Sequence, residues 1–186
     1  EFMSGPMRVR TDFVTRPLRI SPQRLAQIWQ EQESHDIPFV DVADLIELKK
    51  TNREKDYVVI GEMARKLEEI ALRLRYSRSA REIIDLIDRF PELAGKESEN
   101  RPLLKNASKG REALEAALDA ERREMIHENE RRLKRYIDAA AVWAERWKKI
   151  EPRIRDISLA HAHRIIITEA EGVLPFTVED ESADGK

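Results

Sequence analysis

The sequence predicts a mainly helical chain with a small α/β portion near its start. Apolar residues recur at spacings of three and four through most of residues 22–168, the period of an amphipathic helix. From about 109 to 150 the chain is dense in Ala, Glu, Arg and Lys, which favour helix. The extended part comes from two short runs, residues 8–15 and 37–40.

In the first run Val9, Thr11, Phe13 and Thr15 alternate, and Pro17 restricts the chain and ends it. Ser21-Pro22 then opens a helix reaching about Ser34. Serine supplies a capping oxygen, and proline loses no hydrogen bond at the first helical position. Leu25, Ile28 and Trp29 make one apolar face of this helix. His35-Asp36 begins a turn, and Pro38 makes residues 37–40 an edge strand or a strand start. Asp41 caps the next helix, with Val42, Leu45, Ile46 and Leu48 as its apolar positions through Lys50. Thr51-Asn52 interrupts that helix or caps a new one.

From Arg53 to about Arg75 the helical pattern resumes in Tyr57, Ile60, Met63, Ala64, Leu67, Ile70, Ala71 and Leu74. Inside that helix Gly61 costs about 1 kcal/mol relative to alanine, which points to a close neighbour. A third helix runs from about Ser79 to Phe90 with Ile83, Ile84 and Ile87. Gly95, Ser98, Asn100 and Pro102 mark residues 95–108 as a linker. Residues 109–170 are helical again, as one long helix or two broken near 127–129. Their apolar stripe (Leu114, Leu118, Met125, Leu133, Ile137, Val142, Trp143 and Trp147) is too ragged for a coiled coil. Pro152 marks a break or a new start, and Gly172 and Pro175 end the pattern. The expected organisation is therefore residues 8–94, a linker at 95–108, a helical region at 109–170 and a polar tail at 171–186.

The bulk composition narrows the class. The chain has 186 residues, 41% hydrophobic and 38% charged, with a formal net charge of -2. Those totals call for no nucleic-acid or membrane partner. There is no cysteine, which excludes disulfides and thiolate chemistry and fits a reducing, cytoplasmic compartment. No apolar stretch approaches the roughly 20 residues of a membrane helix. Glu1-Phe2-Met3 reads as a cloning remnant ahead of a start methionine.

One stretch carries a resemblance. Asp44-Leu45-Ile46 opens a helix, and Lys49, Arg53, Lys55 and Asp56 follow before the next one. This resembles the carboxyl-terminal motif of the minimal nucleotidyltransferase-like fold, found in small bacterial proteins of the antitoxin and phage-defence type. In the context Thr11-Asp12-Phe13, Asp12 matches that family's third acidic residue. The likeness covers about residues 8–75, so it implies a truncated nucleotidyltransferase-like remnant followed by a helical extension. The family's Gly-Ser turn and paired aspartates, which hold the catalytic divalent ions, have no counterpart before Asp12. The chain in isolation is accordingly expected to have no catalytic residues. Mg2+ and a nucleoside triphosphate enter only if it is a fragment of a metal-dependent nucleotidyltransferase whose aspartate pair lies upstream.

The candidate sites each have two readings. Lys49, Arg53, Lys55 and Asp56 form either a basic clamp for phosphate or an ion-pair network orienting two helices. Asp12 is a relic carboxylate, and one carboxylate does not make a hard-metal site. His161 and His163 point apart on a helix and match no zinc spacing, so no metal is expected. The basic residues 122–135 interleave with glutamates and read as a solvated face. Tyr136, Trp143 and Trp147 are either core residues or a patch for another subunit. These features together predict a non-catalytic interaction or regulatory protein, antitoxin-like, acting through helical surfaces as a homodimer or with a protein partner.

Overall fold

The computed structural model describes residues 2–4, 6–9, 17–36 and 39–175. Apart from one short ribbon at the start, their architecture is helical with no sheet layer, which corrects the expected α/β portion. The only paired strands among the described residues are β1 (Phe2–Ser4) and β2 (Met7–Val9), an antiparallel ribbon with Phe2 opposite Val9. Three residues a side do not make a sheet layer. Of the first extended run, residues 10–15 lie outside the described residues, and Asp12 with them. Phe39 and Val40 are not in a strand. The Phe39 N–H is taken by the Gln32 side chain at 2.8 Å, so it has no ladder to join.

The helices are α1 (Pro22–Gln32), α2 (Val42–Lys49), α3 (Glu54–Ala64), α4 (Ile70–Tyr76), α5 (Ala80–Arg89), α6 (Pro91–Asn100), α7 (Arg111–Ala139), α8 (Ala141–Ile154) and α9 (Leu159–Ala170). A 3-10 helix, Pro102–Lys109, joins α6 to α7. The caps follow the sequence. The side chains of Ser21, Asp41, Ser79 and Ser158 accept bonds from first-turn N–H groups of α1, α2, α5 and α9.

Two expectations change here. The helix expected over 53–75 is two helices, because the chain tightens at Lys66 and Leu67, whose N–H groups bond Met63 and Ala64. The break lets Ala64 and Tyr76 pack in one cluster, which a straight helix would hold far apart. The expected linker 95–108 is helix and 3-10 helix with a buried face. Pro91 and Pro102 each sit at a helix start, where proline is tolerated. Ala94 and Leu104 are core residues.

The chain divides into two compact units, residues 1–126 and 127–186. The first contains two apolar clusters. One joins Leu74, Ile83, Leu86, Leu104, Leu114 and Leu118, and the other joins Ile46, Tyr57, Ile60, Ala64 and Tyr76. Gly61 faces Arg78. A Cβ on Gly61 would stand 3.3 Å from the Arg78 Cβ, which accounts for a glycine inside α3.

An ion network ties this unit together. Arg101 is buried and donates to the Leu74 and Ser77 carbonyls at 2.8 and 2.9 Å. Its remaining donors reach Glu121, which also accepts from Arg78. Burial pushes the Glu121 carboxyl up, but the bonds and charges of Arg101 and Arg78 outweigh it and hold the group below its ordinary value. Asp56 follows the same pattern. Burial raises it, and Thr51, Arg53 and the Lys49 charge bring it lower still.

Both carboxyls have folded-state values below their unfolded ones, so their stabilisation is present above the ordinary carboxylate range. It is lost as pH falls through the folded values. Stability is therefore expected to hold from pH 7 to about pH 5 and to drop progressively below about pH 4. Urea unfolding at stepped pH measures this, and Glu121→Gln with Asp56→Asn should flatten the acid limb. An acid limb unchanged in that double variant would contradict the assignment.

The second unit contains the end of α7, then α8 and α9. Ile150 and Ala162 are its buried apolar residues, among those described. Glu169 on α9 accepts from Arg153 on α8 at 2.7 Å. The Arg146 guanidinium reaches the Glu169 carbonyl at 3.1 Å. Pro152 lies inside α8 and starts no new helix. The interruption between α7 and α8 falls at Ala140, not near 127–129.

Candidate docking surface

The polar cluster read from the sequence is a hinge between two helices. Lys49 is the last residue of α2 and Arg53 the N-cap of α3, so they do not share one helix. Asp56 is buried and accepts from Arg53 Nε at 2.9 Å and from the Thr51 hydroxyl. The Tyr57 hydroxyl donates to the Thr51 carbonyl at 2.8 Å. Every one of these bonds fixes the turn between α2 and α3, which is the ion-pair reading of the cluster. Lys55 is exposed and makes none of these contacts.

The other predicted residues separate. Trp143 and Trp147 on α8 are half-buried and contact each other, with ring centroids 5.9 Å apart and planes tilted by 45°. Tyr136 is exposed on α7, before the Ala140 interruption, and the Arg132 guanidinium lies 5.8 Å from its ring centre. His161 and His163 are both exposed on α9. Among the described residues no group of three His, Asp or Glu side chains is placed to hold a metal ion. No helix among them is long and apolar enough to cross a membrane.

A cleft of about 260 Å3 is lined by Arg65, Arg78 and Arg122 beside Gly61 and Ser79. Its cations are already answered. Arg65 pairs with Glu62 at 2.6 Å, Arg122 with Asp119 at 3.1 Å, and Arg78 with Glu121. A phosphate would have to displace carboxylates there, so the cleft is poorly suited to an anion.

A different surface stands out. Between α1 and α2 lies an open groove of about 290 Å3, walled by Ile20, Leu25, Ile28, Trp29, Phe39, Val40 and Leu48. Only Gln32 and Asp44 among its lining residues carry polar side chains. Trp29 is 67% exposed and Phe39 64%, although both are large and apolar. Removing such adjacent apolar surface from water is favourable, so a cluster of this kind marks a contact site more often than an isolated exposed leucine does.

The groove is built from the sequence in steps. Ser21-Pro22 starts α1, and its period puts Leu25, Ile28 and Trp29 on one side. Asp41 starts α2 by accepting from the Asp44 N–H at 2.8 Å. Arg24 then clamps the two helices. Its Nε and Nη2 reach Asp44 Oδ2 at 3.0 and 2.7 Å, Nη2 also reaches Asp41 at 2.9 Å, and Nη1 reaches Glu31 at 2.9 Å. These bonds, Asp44 foremost, hold the Arg24 guanidinium above its usual value, so it stays charged. The loop is pinned by the Gln32 bond to the Phe39 N–H and by an edge contact of the His35 and Phe39 rings at 5.8 Å.

The segment that supplies most of the groove's lining is rich in carboxylates. Residues 25–48 contain Glu31, Glu33, Asp36, Asp41, Asp44 and Glu47 and no lysine or arginine. Arg24 and Lys50 flank the segment and pair with some of these carboxylates. An apolar groove on a carboxylate-rich segment suits apolar anchors that carry basic neighbours. Sequence reasoning placed Leu25, Ile28 and Trp29 on one face but missed the groove. The available signal was the absence of lysine and arginine from residues 25–48 in a chain with 34 of them.

No family model, curated protein or solved structure matches the chain.

Proposed function

We propose that this chain is a non-catalytic interaction protein that works through helical surfaces, with the groove between α1 and α2 as its receptor site. The occupant is a short amphipathic helix of a partner, presenting apolar anchors at helical spacing with lysine or arginine beside them. The observation that carries this is the pairing of an exposed Trp29–Phe39 floor with a segment of six carboxylates and no basic residue. Apolar contact supplies the affinity, and the carboxylate-rich segment sets partner preference and the rate of encounter.

The test uses two synthetic helical peptides with identical apolar positions, one flanked by lysines and one by glutamates. Fluorescence anisotropy of the labelled peptides against the full chain is expected to give at least about tenfold tighter binding of the lysine peptide at low salt. Trp29→Glu is expected to weaken that binding by a further order of magnitude or so, the range of an interface hot spot. Equal affinity for both peptides, or unchanged binding to Trp29→Glu, would refute the proposal.

A further inference from the structure

The groove between α1 and α2 offers few side-chain hydrogen-bonding groups, and each can be followed. Its two polar side chains are Asp44 and Gln32. Asp44 is nearly buried and both its oxygens accept from Arg24, Oδ1 at 3.2 Å and Oδ2 at 3.0 and 2.7 Å. Gln32 continues the face of α1 that carries Leu25, Ile28 and Trp29, at the next position of the same helical spacing. Its Oε1 accepts the Phe39 N–H at 2.8 Å. Only the oxygen of that amide can meet an N–H, so the orientation of the group is fixed. The two donors on Nε2 are the end left over, and among the described residues they bond to nothing.

We propose that Gln32 reads one neutral hydrogen-bond acceptor on the docked helix, the side-chain oxygen of an asparagine or glutamine set among its apolar anchors. The inference rests on the docking role proposed for the groove and adds the polar half of its specificity. Covering the Gln32 donors with a purely apolar face would strip them of water and return nothing. An amide oxygen at that point replaces the water. Carbonyls inside the docked helix are already bonded along its own axis and cannot serve. A carboxylate is opposed by Glu33 and Asp36, which stand one and four positions after Gln32. One amide then does two things: its oxygen holds the Phe39 backbone, and its nitrogen meets the occupant.

The test uses lysine-flanked helical peptides in which each apolar anchor in turn is asparagine, with leucine at that position as the matched control. Each pair is titrated against the full chain and against Gln32→Glu. Glutamate keeps an oxygen for the Phe39 N–H and removes both donors. Its added charge acts on both members of a pair alike and cancels in their ratio. At one anchor position the ratio of asparagine to leucine affinity is expected to fall on the order of fivefold from wild type to Gln32→Glu. Gln32→Met, which has neither donor nor charge, should lower that ratio as well, and circular dichroism checks that the helices persist in both variants. In a 15N–1H spectrum the Gln32 side-chain N–H2 pair, assigned by its absence in Gln32→Glu, should move further with that asparagine peptide than with its leucine control.

A ratio unchanged at every position in both variants, or a Gln32 N–H2 pair that no asparagine peptide moves more than its control, would overturn the role of Gln32. If the leucine peptides bind while the ratio never changes, that role fails and the docking role stands. If no peptide of the series binds, both fail.

Discussion

Glu121→Ala is expected to cost about 3 kcal/mol of stability. Glu121 is the shared carboxylate of Arg78 and Arg101. Arg101 is 5% exposed, and its position is fixed by the carbonyls of Leu74 and Ser77. Arg78 is held over the Tyr57 ring, 5.2 Å from its centre, and burial pushes its guanidinium down from the ordinary value. Removing the one carboxylate between them leaves two mutually repelling, poorly solvated cations. The same network joins the turn after α4, the start of the 3-10 segment and α7, so its loss loosens both apolar clusters of the first unit. Urea unfolding should show a lower midpoint with an unchanged slope. A loss below about 1 kcal/mol would mean that solvent already screens the network, as at a surface pair.

Arg24→Met should act on stability and on binding together. The Arg24 guanidinium is the only group that bonds Glu31 of α1 as well as Asp41 and Asp44 at the start of α2, among the described residues. Asp44 is 8% exposed, so the change strands a nearly buried carboxylate and should cost about 2 kcal/mol. The walls of the groove then lose their spacer, and lysine-peptide affinity should fall by about tenfold or more. Arg24→Met combined with Asp44→Leu removes the stranded charge and is expected to recover most of the stability. If both variants bind the peptide like wild type, the clamp does not shape the groove.

Much of the helical frame was legible because its signals are local. Ser21-Pro22, Asp41 and Ser79 announce helix starts through chemistry that acts within three residues. Gly61 implied a close neighbour, and Arg78 is that neighbour. The segment after Pro91 was misread because Pro91, Gly95 and Pro102 look like breakers when counted. Two of them occupy helix starts, and Gly95 lies on an exposed face. The expected strand is not present at Phe39 and Val40, where the Gln32 side chain takes the Phe39 N–H, and its residues 37 and 38 lie outside the described residues.

The candidate site was harder to see. An apolar period in α1 reads the same whether its face meets a core or lines an open groove, and only Ile28 of that face is buried. The Arg24 clamp beside that face is non-local, with bonds to Asp41 and Asp44 that span 17 and 20 positions. Arg53 and Asp56 were legible as a pair because they are three residues apart. Tyr136 and the two α8 tryptophans seemed to share one face only on the assumption of unbroken helix, and Ala140 interrupts it.

The chain's three tryptophans offer the most direct test of the groove as the working surface. In a 15N–1H spectrum each indole N–H gives its own resonance, and Trp143→Phe and Trp147→Phe assign them. Titration with the lysine-flanked helical peptide is expected to shift the Trp29 indole and the backbone amides of Phe39 and Leu48, leaving the Trp143 and Trp147 indoles in place. A saturating titration that moves the α8 indoles and leaves Trp29 unshifted would contradict the account.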